Sequence, residues 1–81
     1  MAEESVDLRK ERAKSSTSPA ELEKLAKDKA KDVRMAVAEN TNTPLSVLEK
    51  LAGDEDEYVR SKASLACLLN VQFVSDLLEN K

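Results

Sequence analysis

The chain has 81 residues, with 13 Lys and Arg against 16 Asp and Glu, for a formal net charge of −3. This length allows one domain at most, residues 1–81, with a core near the lower size limit. There is no His and one Cys, Cys67. These counts exclude a disulfide within the chain and any zinc or iron–sulfur site built from Cys and His.

The composition indicates a folded, all-α protein. Apolar residues make up 41% of the chain, and a single Gly and two Pro leave little room for β-turns. Ala, Leu, Lys and Glu, the good helix formers, dominate. Residues 1–8 lack the apolar segment of a signal peptide, and the apolar stretch 65–78 is interrupted by polar residues. We therefore expect a cytoplasmic location and no membrane partner.

The first predicted element belongs to a repeated phrase. DLRKERAKSSTSP, residues 7–19, returns without a gap as DVRMAVAENTNTP, residues 32–44, and a third trace, EYVRSKASLA, begins at Glu57. A period of about 25 residues is typical of stacked repeats that cover one another's apolar faces. We predict about three two-helix repeats and roughly six helices, in units 1–16 (partial), 17–41, 42–66 and 67–81 (a degenerate cap).

The first helix of each unit is expected to begin at Ser18-Pro19 and at Thr43-Pro44, where Ser or Thr caps the helix and Pro takes its first position. Ser18 and Glu21 have the spacing of a capping box. These helices should end near Asp28 and near Gly53, the latter at the left-handed position after a helix. Their apolar stripes are Leu22, Leu25 and Ala26 in one unit, and Leu48, Leu51 and Ala52 in the next.

The second helix of each unit carries small apolar residues that allow close packing. Asn40-Thr41-Asn42 is predicted to form the return turn, since Asn tolerates left-handed geometry and bonds its own backbone. Asp54 with Glu57 is predicted to start the third such helix. The predicted stripe consists of Val33, Ala36, Val37 and Ala38.

TPLSVLEKLAGDEDEYVRSKAS, preceded by VRMAVAENTN, resembles the leucine-rich repeat variant family, a relative of HEAT-type α-solenoids. The resemblance covers roughly residues 6–66. It implies α-helices alternating with shorter, sometimes 3₁₀, helices in a right-handed superhelix. Some members carry an iron–sulfur module bound by a Cys cluster, and because this chain has one Cys, no redox role is carried over.

Three arginines recur with the period and should stack in a column: Arg9, Arg34 and Arg60. The column could present guanidinium groups to an acidic ligand. Alternatively, each Arg pairs with the acid six residues before it, as in the ladders that the resemblance to HEAT repeats implies. We favour the structural interpretation because the acids recur with the arginines, namely Glu3, Asp28 and Asp54.

Binding specificity is expected in residues that do not repeat. Four acids precede Tyr58, more than a helix start requires; we favour their role in starting the helix, and the alternative is that they meet a basic partner. Met35 and Ser61 fall at solvent-facing positions of the second helices, although a slight rotation would place Met35 in the core. The candidate partner surface therefore comprises Met35, Asp54, Glu55, Asp56, Glu57, Tyr58 and Ser61.

The C-terminal stretch LACLLNVQFVSDLLEN lacks the Thr-Pro signal and is unusually apolar. We interpret it as a last helix that either folds back on the stack, which we favour, or makes a homodimer contact. Cys67 within it is expected to be a small core residue rather than a reactive thiol.

The sequence favours a non-enzymatic binding module. It has no His, no Gly-rich phosphate loop and no nucleophile motif, and the carboxylates are explained by caps and ladders. No cofactor or metal is expected. The partner is expected to be another protein, because nucleic-acid binders show basic faces and aromatic platforms. The alternatives are a self-associating structural protein, or a salt-sensitive nucleic-acid binder that uses Lys10, Arg12, Lys24, Lys27 and Lys31.

Overall fold

The computed structural model describes the backbone of residues 5–79 and the side chains of residues 5–68. The predicted all-α fold is confirmed for the described residues, which contain helices only. Within residues 5–79 there are five helices, whereas roughly six were expected: α1 (Val6–Ser15), α2 (Pro19–Leu25), α3 (Lys31–Glu39), α4 (Leu45–Leu51) and α5 (Glu57–Glu79).

The helix α3 lies at the centre of the packing, because it contacts α1, α2, α4 and α5. Its apolar side chains are small, so neighbouring helices approach closely on both sides. Among residues 5–68, whose side chains are described, the core contains no aromatic residue. Its members are aliphatic and mostly buried to 3% exposure or less: Ala13, Leu22, Leu25, Val33, Ala36, Val37, Ala38, Val47, Leu48, Leu51, Val59 and Ala63.

The predicted start of α2 is confirmed. Ser18 is the N-cap, Pro19 takes the first helical position, and the Ser18 hydroxyl accepts a hydrogen bond from the Glu21 amide at 3.3 Å. The other half of the capping box differs from the prediction. The Glu21 carboxylate accepts from the Ser16 hydroxyl at 2.7 Å, and the Ser16 oxygen in turn accepts from the Ser18 amide. The Ser16 hydroxyl thus links the Glu21 carboxylate to the backbone amide of the N-cap, Ser18.

The predicted start of α4 is wrong by one residue. Pro44, rather than Thr43, is the N-cap, and it makes no side-chain capping bond. The buried Thr43 hydroxyl instead donates to the Val37 carbonyl at 2.6 Å, at the end of α3. The cause is the extra residue after Pro44, which moves the first helical position to Leu45. Thr43 therefore stabilises the end of the preceding helix.

The predicted left-handed residues are not observed. Both α2 and α4 end two to three residues before the predicted stops, at Leu25 and Leu51, and Ala26 and Ala52 cap them in right-handed geometry. No described residue has a positive φ, so Gly53 is not a left-handed cap. The turn after α3 closes through the Asn40 side chain, which accepts from the Asn42 amide at 2.7 Å.

The helix α5 continues without a break from Glu57 to Glu79. The predicted separate last helix, folded back on the preceding helices, is therefore wrong. The physical reason is that no Pro or Gly follows Gly53, and good helix formers such as Leu65, Ala66 and Leu68 extend the helix instead. Cys67 is half-buried and packs against the core.

Candidate functional site

Arg34 has the most enclosed of the repeated guanidinium groups. Its Nε and Nη2 atoms donate to the two carboxylate oxygens of Asp54, at 2.8 and 3.2 Å. Its Nη1 atom donates to the backbone carbonyl of Asp28 at 2.7 Å. Both side chains of the Arg34–Asp54 pair are about 10% exposed. This geometry is a bidentate, charge-assisted pair that links α3 to the loop before α5.

Arg9 repeats the same arrangement one unit earlier. Its Nε and Nη2 atoms donate to the carboxylate of Asp28 at 2.7 and 3.2 Å. The predicted partner of Arg9, Glu3, lies outside the described residues. For Arg34 the predicted side-chain partner is wrong, since the carboxylate that Arg34 binds belongs to Asp54 of the following loop. Asp28, six residues before Arg34, contributes its backbone carbonyl instead. The reason is that each Asp carboxylate turns back to its own loop, where it accepts the amide two residues later, Ala30 or Asp56.

Arg60 makes only the backbone half of this pattern. Its Nη1 atom donates to the carbonyls of Asp54 and Glu55 at 2.9 and 3.1 Å, and the residue is exposed. The three arginines and two aspartates thus form one continuous chain of hydrogen bonds. It passes from α1 through α3 to α5, in the order Arg9, Asp28, Arg34, Asp54 and Arg60.

The electrostatics of Asp28 reflect this pairing. Burial pushes the pKa of Asp28 upward, but the hydrogen bonds from Arg9 and the Ala30 amide, with the positive charges of Arg9 and Lys29, outweigh it. The net result is a pKa below the ordinary 3.8. The carboxylate is therefore held ionised by its structural partners.

Asn40 makes an interaction that the sequence did not predict. Its buried carboxamide donates to the carbonyls of Ala13 and Ser16 at 2.7 and 2.8 Å, and so caps the C-terminus of α1 from α3. Such bonds satisfy carbonyls that a helix end leaves unpaired. The period gave no signal for it, because the residue 26 positions later is Ala66.

The start of α5 uses Asp56 rather than the predicted Asp54. The Asp56 carboxylate accepts from the amides of Tyr58 and Val59 at 2.9 and 3.2 Å. Burial raises the pKa of Asp56, but the hydrogen bonds from those two amides and the charges of Lys31 and Arg34 lower it by more. The net result is a pKa below the ordinary value. Asp56 also pairs with the Lys31 ammonium at 3.7 Å.

The candidate partner surface is divided by this geometry. Asp54 and Asp56 bond within the protein, whereas Glu55 is exposed at the tip of the same loop. Tyr58 is 63% exposed, and the Lys31 ammonium lies 5.8 Å from the centre of its ring. Met35 is half-buried against the core. The exposed members of the predicted surface are Glu55, Glu57, Tyr58 and Ser61.

The basic residues of the N-terminal half are interleaved with acids. Arg12 lies 3.4 Å from Glu21, and both line a cleft that also contains Lys24 and Asp28. Lys27 lies elsewhere, in a depression lined by both basic and acidic side chains. Further along the chain, lysines bridge neighbouring helices in the pairs Lys50–Glu23 and Lys62–Glu39, at 3.5 and 3.0 Å.

A cleft of about 330 Å³ lies between the end of α3 and the middle of α5. Leu48, Leu65 and Ala66 supply its apolar lining, and Glu39 and Lys62 contribute charged groups that pair with each other. Leu65 is 56% exposed. Ala66, which stands 26 residues after Asn40, lines this cleft. It combines apolar surface and charge where the repeat pattern is broken.

Among residues 5–79, no helix is long and apolar enough to cross a membrane. The same described part of the chain holds no group of three or more Cys, Asp or Glu residues arranged to bind a metal ion.

Residues 32–56 match the sequence model of the family described as leucine rich repeat variant. The segment extends from α3 to the cap of α5 and contains Arg34, Asn40 and Asp54. No curated protein and no solved structure matches the chain. The family expected from the repeated phrase is therefore confirmed over residues 32–56, which are similar to a leucine rich repeat variant repeat.

Proposed function

We propose that the chain is a non-enzymatic protein-binding module, built as a short right-handed α-solenoid. One observation carries the proposal: the repeated charges of Arg9 and Arg34 are paired within the fold, whereas Leu65, which stands where the preceding unit has Glu39, is exposed beside a cleft. Arg9 and Arg34 have carboxylate partners within the fold. Leu65, which lines the cleft, and Leu68 are 56% and 62% exposed on α5, the helix that also carries Tyr58.

The proposed mechanism is docking of a preformed surface. Protein interfaces combine an apolar centre with a polar rim, and aromatic residues often contribute most of the binding energy. Leu65 and the cleft match such a centre, Glu39 and Lys62 match the rim, and Tyr58 is a candidate anchor. The proposal includes a cytoplasmic location, no cofactor and no nucleic-acid partner. The internal pairing of Arg9, Arg34 and Arg12 argues against a basic face.

The test is affinity capture from a lysate of the source organism, with the wild-type chain and two leucine variants. Leu65→Glu should lose the captured protein, because a charge would enter the apolar lining of the cleft. Leu8→Glu is the matched control, since Leu8 is 58% exposed but lies on α1. Equal capture by both variants would contradict the proposed surface.

Self-association through α5 is the second candidate, and the exposure of Leu65 and Leu68 favours it. Stable dimers of this kind bury apolar helix faces against each other. Sedimentation equilibrium across a range of concentrations distinguishes the two. A concentration-dependent dimer that Leu68→Glu abolishes would identify a homodimer, whereas a monomer at every concentration would rule it out.

A further inference from the structure

One face of α5 repeats positions that are covered on α3. Arg60 and Ser64 correspond to Arg34 and Ala38, 26 residues earlier. Arg34 and Ala38 are 8% and 2% exposed, because α5 and the loop before it pack against them. Arg60 and Ser64 are exposed, and Leu68 extends the same face by one more turn. We call these three residues the open face of α5.

Arg60 is already oriented for a bidentate contact. Its Nη1 atom is fixed by the carbonyls of Asp54 and Glu55, as that of Arg34 is fixed by Asp28. In Arg34 the remaining edge, Nε and Nη2, binds the Asp54 carboxylate. In the part of the chain that the structure describes, that edge of Arg60 makes no hydrogen bond. The Arg34–Asp54 pair therefore shows which group this edge of an arginine binds in the fold. It donates to a carboxylate from the loop before a helix.

The neighbouring charges add a second requirement. Glu55 and Glu57 are exposed beside Arg60 and would repel a purely acidic segment. Where α3 and α5 pack together, lysines of the α2–α3 loop and α3 lie against the acidic loop before α5. The Lys31 ammonium lies 3.7 Å from the Asp56 carboxylate, and Lys27 and Lys29 line one depression together with Glu55. A segment that reaches Arg60 must therefore combine one carboxylate with flanking positive charge.

We infer that the open face of α5 binds a helix of a partner protein whose preceding loop presents an Asp flanked by lysines. The Asp carboxylate pairs with Nε and Nη2 of Arg60, the lysines face Glu55 and Glu57, and the helix covers Ser64 and Leu68. This inference rests on the proposed binding function and gives the chemistry of one partner. The contact would continue the interfaces that α3 makes with α1 and that α5 makes with α3.

The chain contains a suitable probe in its own α2–α3 loop. A synthetic peptide of residues 26–41, AKDKAKDVRMAVAENT, has an Asp flanked by lysines before a helix. We would titrate it into the full-length ¹⁵N-labelled chain and follow backbone amides and the Arg60 Nε–H by NMR. The control peptide carries Asp28→Asn. The protein variants are Arg60→Gln and, as the matched control, Arg12→Gln, another exposed arginine.

The expected result is saturable shifts at Arg60, Ser64 and Leu68, with the Asn peptide binding about tenfold more weakly. The Arg60→Gln variant should bind the wild-type peptide about tenfold more weakly and should bind both peptides with equal affinity. The Arg12→Gln variant should bind like the wild-type protein. No shift at millimolar peptide, or equal affinity for both peptides, would overturn the inference.

Two other outcomes separate this inference from the proposed function. Shifts confined to the cleft around Leu65 would overturn the open face but support a binding module. Self-association of the chain alone that is lost in Arg60→Gln would make the occupant a second copy, and the partner protein inferred here would be wrong. Loss of capture in Leu65→Glu tests the proposed function independently of either peptide.

Discussion

The α1–α3 interface and the α3–α5 interface share one feature and differ in most others. Both contain a bidentate Arg–Asp pair with nearly identical distances, Arg9–Asp28 and Arg34–Asp54. At the first interface the Asn40 carboxamide also caps α1. At the second, Ala66 takes the equivalent position and a cleft of about 330 Å³ is present. The Arg–Asp pair is therefore common to both interfaces. The residues around it differ, and these are the positions at which a binding surface can arise.

The loops that enter the two interfaces also differ. Ala30 caps α3 without a side-chain hydrogen bond, whereas Asp56 caps α5 through two amides. The second interface has in addition the Lys62–Glu39 ion pair at 3.0 Å, with both groups nearly half exposed. Surface pairs of this kind contribute little to stability. The first interface therefore depends on a buried amide, and the second on a capped helix start.

The largest expected effect comes from Arg34, which belongs to both interfaces. Arg34→Ala should reduce the free energy of unfolding by about 3 to 5 kcal/mol, because it leaves the carboxylate of Asp54 enclosed without its counter-charge. Arg60→Ala is the control at the equivalent exposed position and should cost at most about 0.5 kcal/mol. Urea unfolding followed by circular dichroism measures both. Similar losses for the two variants would show that enclosure of the pair does not matter.

A smaller effect is expected from Asn40, which acts only at the first interface. Asn40→Ala should cost about 2 kcal/mol, since two carbonyls of α1 and the turn amide of Asn42 lose their partner. Asn42→Ala, on the exposed side of the same turn, should be nearly neutral. Amide exchange would localise the loss, with faster exchange in α1 than in α5. Uniform acceleration of both helices would contradict a role confined to one interface.

The pH dependence tests the first pair by itself. Because the folded-state pKa of Asp28 lies below its ordinary 3.8, the unfolded state binds more protons in this range. Its contribution should be complete well above 3.8 and should be lost as the pH falls through the lower folded pKa. Asp28→Asn should flatten the acid side of the stability curve. An unchanged slope between wild type and variant would contradict ionised pairing with Arg9.

The smallest effect concerns Gly53, in the loop of the second interface, where the equivalent residue of the first is Lys27. Gly53 has no positive φ, and an added Cβ would meet only the Lys50 carbonyl at 3.7 Å, an ordinary contact. Gly53→Ala should therefore stabilise the protein by about 0.4 to 1 kcal/mol, through the unfolded state. Thermal unfolding measures this change. A lower melting temperature would show that the loop requires glycine.

The features that recur with the period of about 25 residues could be predicted from the sequence, whereas interactions made by residues without a counterpart in the next unit could not. The sequence predicted the all-α class, the approximate positions of α2, α3 and α4, and their apolar stripes. It predicted the wrong direction of pairing for Arg34, because Asp28 lies six residues before Arg34 and one loop after Arg9, and the period alone places it near both. Only the loop conformation, with the carboxylate facing one Arg and the carbonyl the other, decides between them.

Other errors have local causes. The role of Asn40 had no counterpart at Ala66 to indicate it, and the extra residue after Pro44 shifted the start of α4. The absence of Thr-Pro after residue 66 predicts a degraded unit. Its actual effect is that the chain lacks a helix-ending signal there, so α5 continues. The exposed face around Tyr58 was predicted from its departure from the repeat. Two of its acids, Asp54 and Asp56, turned out to have internal partners.

The hydrogen-bonded chain from Arg9 to Arg60 has a consequence for folding. Repeat proteins can unfold one unit at a time when the coupling between neighbours is weak. Here each Asp bonds one arginine through its carboxylate and the next through its carbonyl, so opening one loop disturbs the packing on both sides. We expect this coupling to make the described helices unfold cooperatively. They should open as a single unit rather than fray from one end.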